Sequence, residues 1–406
     1  MSCRPWLGTK SRTQGFTLVE LMVALVVSAL AAMAIYGTFI GFSNDFTQTK
    51  TQNNSWQQAR TAMAQITQAV ESAGYGLPMY NCSNGIYTGQ SSNFANVVGT
   101  SNGAGLLGLV PVAASAQVSP NYGPTGTSTY ALTVTTGGSV FSTSPVAHIT
   151  QVPSVNAANM KVDNGNLLAS QDLFLVTMPN STCILGQITN MNGSNNMNVV
   201  ANSGAASPYN APGGFAAADP GVTAQALMNA GVINLGRGGF YIDNFWIQDQ
   251  NPNPNAHVLG TVPTSAAPLG VPSLYMAQYN AYTPTPSATQ LPPLLTLVAR
   301  GIVDMQVEFG YGTQGVVTSY QAPGSLPGGD VVAVKIALLA RSTRTIPGLS
   351  PAVILLMGTG PSAVTYTVPT GLPANATMGC VEGNCRHYLY HVFKTVIPVR
   401  NVIWNQ

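Results

Sequence analysis

Glu20 is the single charged side chain between Arg12 and Asp45, and it lies near the start of the one long apolar run of the chain. An ionised group at the centre of a membrane-spanning helix costs roughly 2.5–3.5 kcal/mol on insertion scales, so it persists where a partner neutralises it. The chemistry implied is charge pairing: something cationic must meet Glu20. Ahead of the run stands a Gly15-Phe16 junction, preceded by Arg4, Lys10 and Arg12 and by no acid. An ordinary secretory signal carries its cleavage site after the apolar stretch, not before it. The basic residues keep the N-terminus cytoplasmic by the positive-inside rule.

Other residues invite weaker chemistry. Cys82, Cys183, Cys380 and Cys385 allow three pairings. The short spacing of Cys380 and Cys385 around Gly383-Asn384 suits a disulfide-closed turn, which would leave Cys82 with Cys183, and the other pairings stay open. Cys380, Cys385, His387 and His391 also offer two sulfurs and two imidazoles. Their spacing is too compressed for a zinc finger, so no metal is expected. Asp163-Asn164-Gly165-Asn166 lacks the further acids of a calcium loop and reads as a turn. His148 and His257 have no nucleophile motif beside them, and there is no Gly-x-Ser-x-Gly, His-Glu-x-x-His or phosphate-binding glycine loop. The expectation is a protein that is not an enzyme and needs no cofactor.

The element that must position Glu20 is a helix. Residues 16–42 would span about 40 Å at ~1.5 Å per residue, enough to cross a bilayer with some tilt. Gly37 and Gly41 mark a place for it to bend, or to pack closely on another helix. Beyond Asn44 the chain turns polar, yet Trp56, Ala59, Met63, Ile66 and Val70 keep a spacing of three and four along one face. The helix therefore outlasts the membrane and its outer half packs under a globular part. Gly74, Gly76 and Pro78 supply the stop. A helix over 16–73 would be about 87 Å long at ~1.5 Å per residue.

The remainder reads as β-rich. Segments 130–136, 172–178, 183–189, 239–247, 305–309, 331–339, 363–368 and 388–396 are short, rich in β-branched or aromatic residues and bounded by turn formers. The nearly continuous apolar character of 331–338 predicts a strand buried on both faces or covered by the long helix. Segments 91–126, 190–221 and 249–289 look like insertions or surface loops. Charge is scarce, with no Asp, Glu, Lys or Arg from 72 to 160. A neutral polar surface of this kind suits an extracellular appendage, and no basic patch argues for nucleic acid. The fold class is α+β: a long N-terminal helix packed on a β-rich, mostly antiparallel head with long loops.

Gly15 through Leu21, followed by Met22-Val23-Ala24-Leu25, resembles the class III signal of type IV prepilins. That resemblance implies cleavage between Gly15 and Phe16 by a prepilin peptidase and N-methylation of Phe16. The new amine of Phe16 would then sit beside Glu20 of a neighbouring subunit, cancelling both buried charges. It divides the chain into a leader (1–15), a transmembrane and assembly helix (16–74) and a periplasmic or extracellular head (75–406). The leader would take Cys3 and three positive charges with it, leaving the formal +2 at −1 before the amine is counted.

Further on, 297–311, 331–342 and 390–401, the last ending in Arg400-Asn401, resemble segments of PilW-type minor pilins and the related J-type minor pseudopilins of type II secretion, with 172–189 a weaker echo. The family implies a minor type IV pilin that primes pilus assembly in a tip complex with other minor pilins and draws major pilin from the inner membrane. It implies a single-pass precursor with a cytoplasmic N-terminus and a mature form in the pilus. A type II secretion pseudopilin or a tip-displayed adhesin is the alternative.

Overall fold

The computed structural model describes residues 17–77, 129–138, 145–248, 271–280, 294–323, 330–370 and 385–403, with short breaks inside several of these, together with Cys82, 86–88, 106–107, 111–116 and Cys380. Gly15, Phe16 and Pro78 lie outside the described residues, as does most of 91–126 and 249–289. The chain divides into two compact units, Met1–Asn53 and Asn54–Gln406.

One helix, α1, runs Leu18–Ser72 and is helical through Gly37 and Gly41. A Cβ at either glycine would meet nothing within 4 Å. The helix ends where Gly74 takes φ 73°, a left-handed conformation that glycine adopts without a Cβ penalty. The chain leaving it is stitched to the first long strand: Gly74 N donates to Thr135 O at 2.8 Å, and Gly137 N to Tyr75 O at 2.6 Å.

Strands are numbered in chain order. A nine-stranded sheet holds β1 (Ile86–Thr88), β2 (Leu106–Leu107), β5 (Ala147–Gln151), β6 (Asn159–Val162), β7 (Leu173–Thr177), β8 (Cys183–Gln187), β9 (Asn190–Asn192), β10 (Asn198–Val200) and β11 (Gly231–Gly236). Its order is β2-β1-β8-β7-β11-β5-β6-β10-β9. A five-stranded sheet places β3 (Val112–Ala116), β4 (Tyr130–Gly137), β12 (Phe240–Gln248), β13 (Ser273–Asn280) and β14 (Leu294–Arg300) in the order β14-β13-β12-β4-β3. A four-stranded sheet of β15 (Ile302–Thr313), β16 (Val316–Gln321), β17 (Asp330–Thr345) and β20 (Tyr388–Pro398) has the order β16-β15-β17-β20. A hairpin of β18 (Val353–Met357) and β19 (Val364–Thr367) completes the set. Among these pairs β1 runs parallel to β8, and the others are antiparallel.

All eight segments read as strands from the sequence are strands. The loop readings need correction. β13 falls inside 249–289 and pairs with β12 over eight residues, and β3 falls inside 91–126. Within 190–221, Val199, Phe215 and Ala218 are buried in one core cluster and Tyr209 in another. Each of these pieces is short and set among Asn, Ser and Gly, so composition hid what cross-strand pairing secures.

Among the described residues, three apolar clusters lie in the unit Asn54–Gln406. The first joins Ala59, Ala62, Ile66, Ala69 and Val70 of α1 to Met305, Val307, Phe309, Val334, Ile336 and Leu338. β17 is buried almost continuously from Val332 to Ser342, as its apolar sequence predicts. The second cluster takes Leu173 and Leu175 from one face of β7, and the third takes Phe174 and Val176 from the other. Gly186 is required beside it, since a Cβ there would stand 2.5 Å from the Phe174 ring.

Candidate assembly site

Thr17 and Glu20 cap the start of α1 together. Thr17 N and Thr17 Oγ1 each donate to Glu20 Oε2 at 3.0 Å, and Glu20 N donates to Thr17 Oγ1 at 3.3 Å. This is a capping box: the Thr and the acid three residues on satisfy amides that helix geometry leaves without partners. A carboxylate there also faces the positive end of the helix dipole. Charge reasoning alone missed this role, although Thr-x-x-Glu before an apolar run is its sequence signal.

From Thr17 to Phe46 every side chain is exposed. Leu18, Val26, Val23, Val27, Phe42 and Phe39 stand out in all directions around the helix. A helix that is apolar on all sides needs an apolar surrounding on all sides. Its most apolar 18 residues have a mean hydropathy of 2.5, long and apolar enough to cross a membrane.

From Asn54 onward α1 has a different seat. Ser55, Ala59, Ala62, Ile66, Ala69 and Val70 are buried, so the apolar face is wider and smaller in side-chain size than Trp56, Ala59, Met63, Ile66 and Val70 suggest. Alanines let the helix lie close on the strands below it. Trp56 meets His391 edge to face, with ring centroids 4.9 Å apart. Burial pushes the His391 pKa down, and the neutral ring suits that contact. Gln58 Oε1 accepts from Arg300 N at 3.3 Å. At the far end Arg400 Nη2 lies 3.1 Å from Glu71 Oε1, and Asn401 Nδ2 donates to Ala73 O at 3.0 Å. The Arg400-Asn401 pair thus clamps the last turn of the helix, satisfying a terminal carbonyl.

The disulfides are Cys82–Cys183 and Cys380–Cys385. The second closes beside a buried arginine: Arg341 Nη1 donates to Cys380 Sγ at 3.1 Å, and its guanidinium lies 4.4 Å from the Tyr388 ring centroid. Tyr390 Oη donates to Cys385 O at 2.9 Å, and burial pushes its pKa up to about 12. Next to Arg341, Ser342 Oγ accepts from Leu389 N at 3.0 Å and donates to Arg344 O at 2.7 Å. Asp304 is fully buried, receives Gln306 Nε2 at 2.9 Å, and is pushed by burial up to about 6.

The remaining candidates are structural. Asp163 accepts from His148 N at 2.7 Å, which with the nearby His148 ring holds its pKa down, and Asn166 N donates to Asn164 Oδ1 at 3.0 Å in a tight turn. His387 sits in the 3-10 turn Cys385–His387.

An apolar, capped N-terminal helix ahead of a β-rich head with disulfides is the arrangement expected of a prepilin. Residues 10–36 match the prokaryotic N-terminal methylation motif. Residues 259–401 match the PilW family, Type IV Pilus-assembly protein W, and together the two matches support a PilW-type minor pilin. That second span holds β13 through β20 and the Arg400-Asn401 clamp. No curated protein and no solved structure matched the chain.

Proposed function

We propose that this protein acts in the initiation and assembly of the type IV pilus, in a tip complex with other minor pilins. The carrying observation is the belt of exposed apolar side chains on α1 up to Phe46, which leaves a large surface to be covered by lipid and then by other pilin helices. The mechanism is docking, not turnover. A prepilin peptidase cuts between Gly15 and Phe16 and Phe16 is methylated, so residues 1–15 are a leader, 16–74 the membrane and assembly helix, and 75–406 the exported head. The precursor spans the inner membrane once with its N-terminus in the cytoplasm. In the filament the Phe16 amine meets Glu20 of a neighbour and fixes register. The match to a type IV pilus assembly family favours this machine over type II secretion.

Mass spectrometry of protein recovered from sheared pili tests the reading. The expected N-terminus is methylated Phe16, with Gly15→Lys accumulating as the uncleaved membrane form. Mature protein beginning at any other residue, or absent from pili altogether, would reduce the chain to a tethered envelope protein.

A tip-displayed adhesin is a second reading, favoured by the nine-stranded sheet, all of whose strands lie outside the span matched to the pilus assembly family. Deleting 190–221 is no clean test of it, because that segment contributes Val199, Tyr209 and Phe215 to the interior. Exposed polar substitutions on the same segment test it instead: lost attachment with unchanged pilus number supports adhesion.

A further inference from the structure

Beside the outer turns of α1 lies an open groove of about 450 Å³. One wall is a single helical face with Arg60, Met63, Ala64 and Glu71 at helical spacing, and the other is Phe393 and Lys394 of β20. Consecutive residues of a strand point to opposite faces. A groove touching both Phe393 and Lys394 must therefore run along the edge of β20. Among the described residues that edge is free: β20 closes the four-stranded sheet and pairs there with β17 alone. β20 runs Tyr388–Pro398, and the outward amides and carbonyls of an edge strand are a template for another strand.

Charge says what kind of strand fits. In a chain with only 6% charged residues, the groove gathers two cations, Arg60 and Lys394, that make no ion pair or hydrogen bond among the described residues. Its one acid, Glu71, is already engaged by Arg400. Lys394 sits next to the centre of β20, so an antiparallel copy of the same strand would bring Lys394 near its own image. Like charges placed opposite one another oppose pairing, whereas an acid there favours it. The edge is thus set against self-association and toward a different, acidic partner.

We propose that this groove receives an extended, acid-bearing strand from a neighbouring protein subunit, which adds to the sheet beside β20 with its carboxylate toward Arg60 and Lys394 and an apolar side chain over Met63 and Phe393. The mode is β-augmentation: backbone bonds supply affinity and the alternate side chains supply selectivity. It is distinct from burial of the N-terminal half of α1, so its failure leaves the assembly reading untouched.

The test uses the full-length protein in detergent and three synthetic ten-residue probes of alternating Thr and Val: one with a central Glu, one with a central Lys, and the Glu probe N-methylated on the amides of one edge. The Glu probe should bind about tenfold tighter than the Lys probe, in keeping with the energy difference between attractive and repulsive cross-strand pairs. It should slow hydrogen exchange at alternate amides of residues 391–397. The Lys394→Glu variant should invert the order of the two probes, and Arg60→Ala should weaken the Glu probe alone. The N-methylated probe should not bind. Equal binding of Glu and Lys probes, unchanged binding after N-methylation, or formation of a homodimer through this edge would each overturn the proposal. So would failure of every probe to bind a folded wild-type chain.

Discussion

Glu20 has two physical roles available, and one substitution separates them. Glutamine keeps an oxygen that can accept from Thr17 N and Thr17 Oγ1, so it preserves the capping box while removing the charge. If pairing with a neighbour's amine governs assembly, Glu20→Gln should be incorporated into pili as poorly as Glu20→Val, with helix content and cleavage unchanged in both. Immunoblots of sheared and membrane fractions give the ratio, and wild-type incorporation of the Gln variant would assign Glu20 to capping alone. At the same scale Asp304 makes the head pH-sensitive. Its folded pKa is raised from 3.8 to about 6 by burial, so folding favours the protonated form. Its contribution is fully present below pH ~4 and is lost as pH rises through ~6, on the order of 2–3 kcal/mol in total. Tyr130 and Tyr366 face the same group, and burial followed by neighbouring charge raises both further, outside this window. Asp304→Asn keeps an acceptor for Gln306 and should flatten the rise in denaturant midpoint between pH 7 and pH 4 while stabilising the protein at pH 7. Parallel profiles for the two proteins would show that Asp304 does not control the slope.

For the elements, the outer half of α1 is secured mainly by burial of a face of small and branched side chains. Ile66 is fully buried against the four-stranded sheet. Ile66→Ala should lower head stability by about 2–5 kcal/mol, the range for truncating a large core side chain. The exposed Gln65→Ala should stay within about 0.5 kcal/mol. Denaturant midpoints of the two variants in the same detergent check the difference, and equal values would mean the helix is held by its ends, through Arg400, Asn401 and Gln58. This stripe was legible because alternation by three and four survives a change from apolar to polar composition. The Ala62 and Ala69 positions were not, since alanine sits equally well on either face until a sheet approaches it. Among strands, β17 announced itself by a nearly continuous apolar run, and β15 by the alternation of Met305, Val307 and Phe309 with Gln306 and Glu308. β11, Gly-Val-Ile-Asn-Leu-Gly, and β5, Ala-His-Ile-Thr-Gln, did not, because their burial comes from pairing with β7 and with each other. The capping box was written plainly in Thr-x-x-Glu, yet the free edge of β20 was not, since strand order is a property of the assembled sheet.

At the scale of the whole molecule the two disulfides sit in different layers and close loops of very different length. Cys82–Cys183 spans 101 residues and lies in the second cluster, where it ties the chain leaving α1 to β8 of the nine-stranded sheet. Cys380–Cys385 spans five and borders the first cluster beside Arg341. Loop-closure entropy assigns the long bridge about 4.7 kcal/mol and the short one about 2 kcal/mol. On that basis Cys82→Ser with Cys183→Ser should lower the melting temperature about twice as much as Cys380→Ser with Cys385→Ser. The ordering has a physical competitor. Removing the short bridge also disturbs the Cys380 contact of the buried Arg341 guanidinium, and a buried charge that loses a partner is costly. If the short-bridge variant melts at or below the long-bridge variant, that contact outweighs chain entropy. Adding Arg341→Met to the short-bridge variant should then recover stability, because it replaces the exposed cost with an apolar side chain of similar reach. No recovery, with the long bridge dominant, would leave chain entropy as the reason both bridges are present.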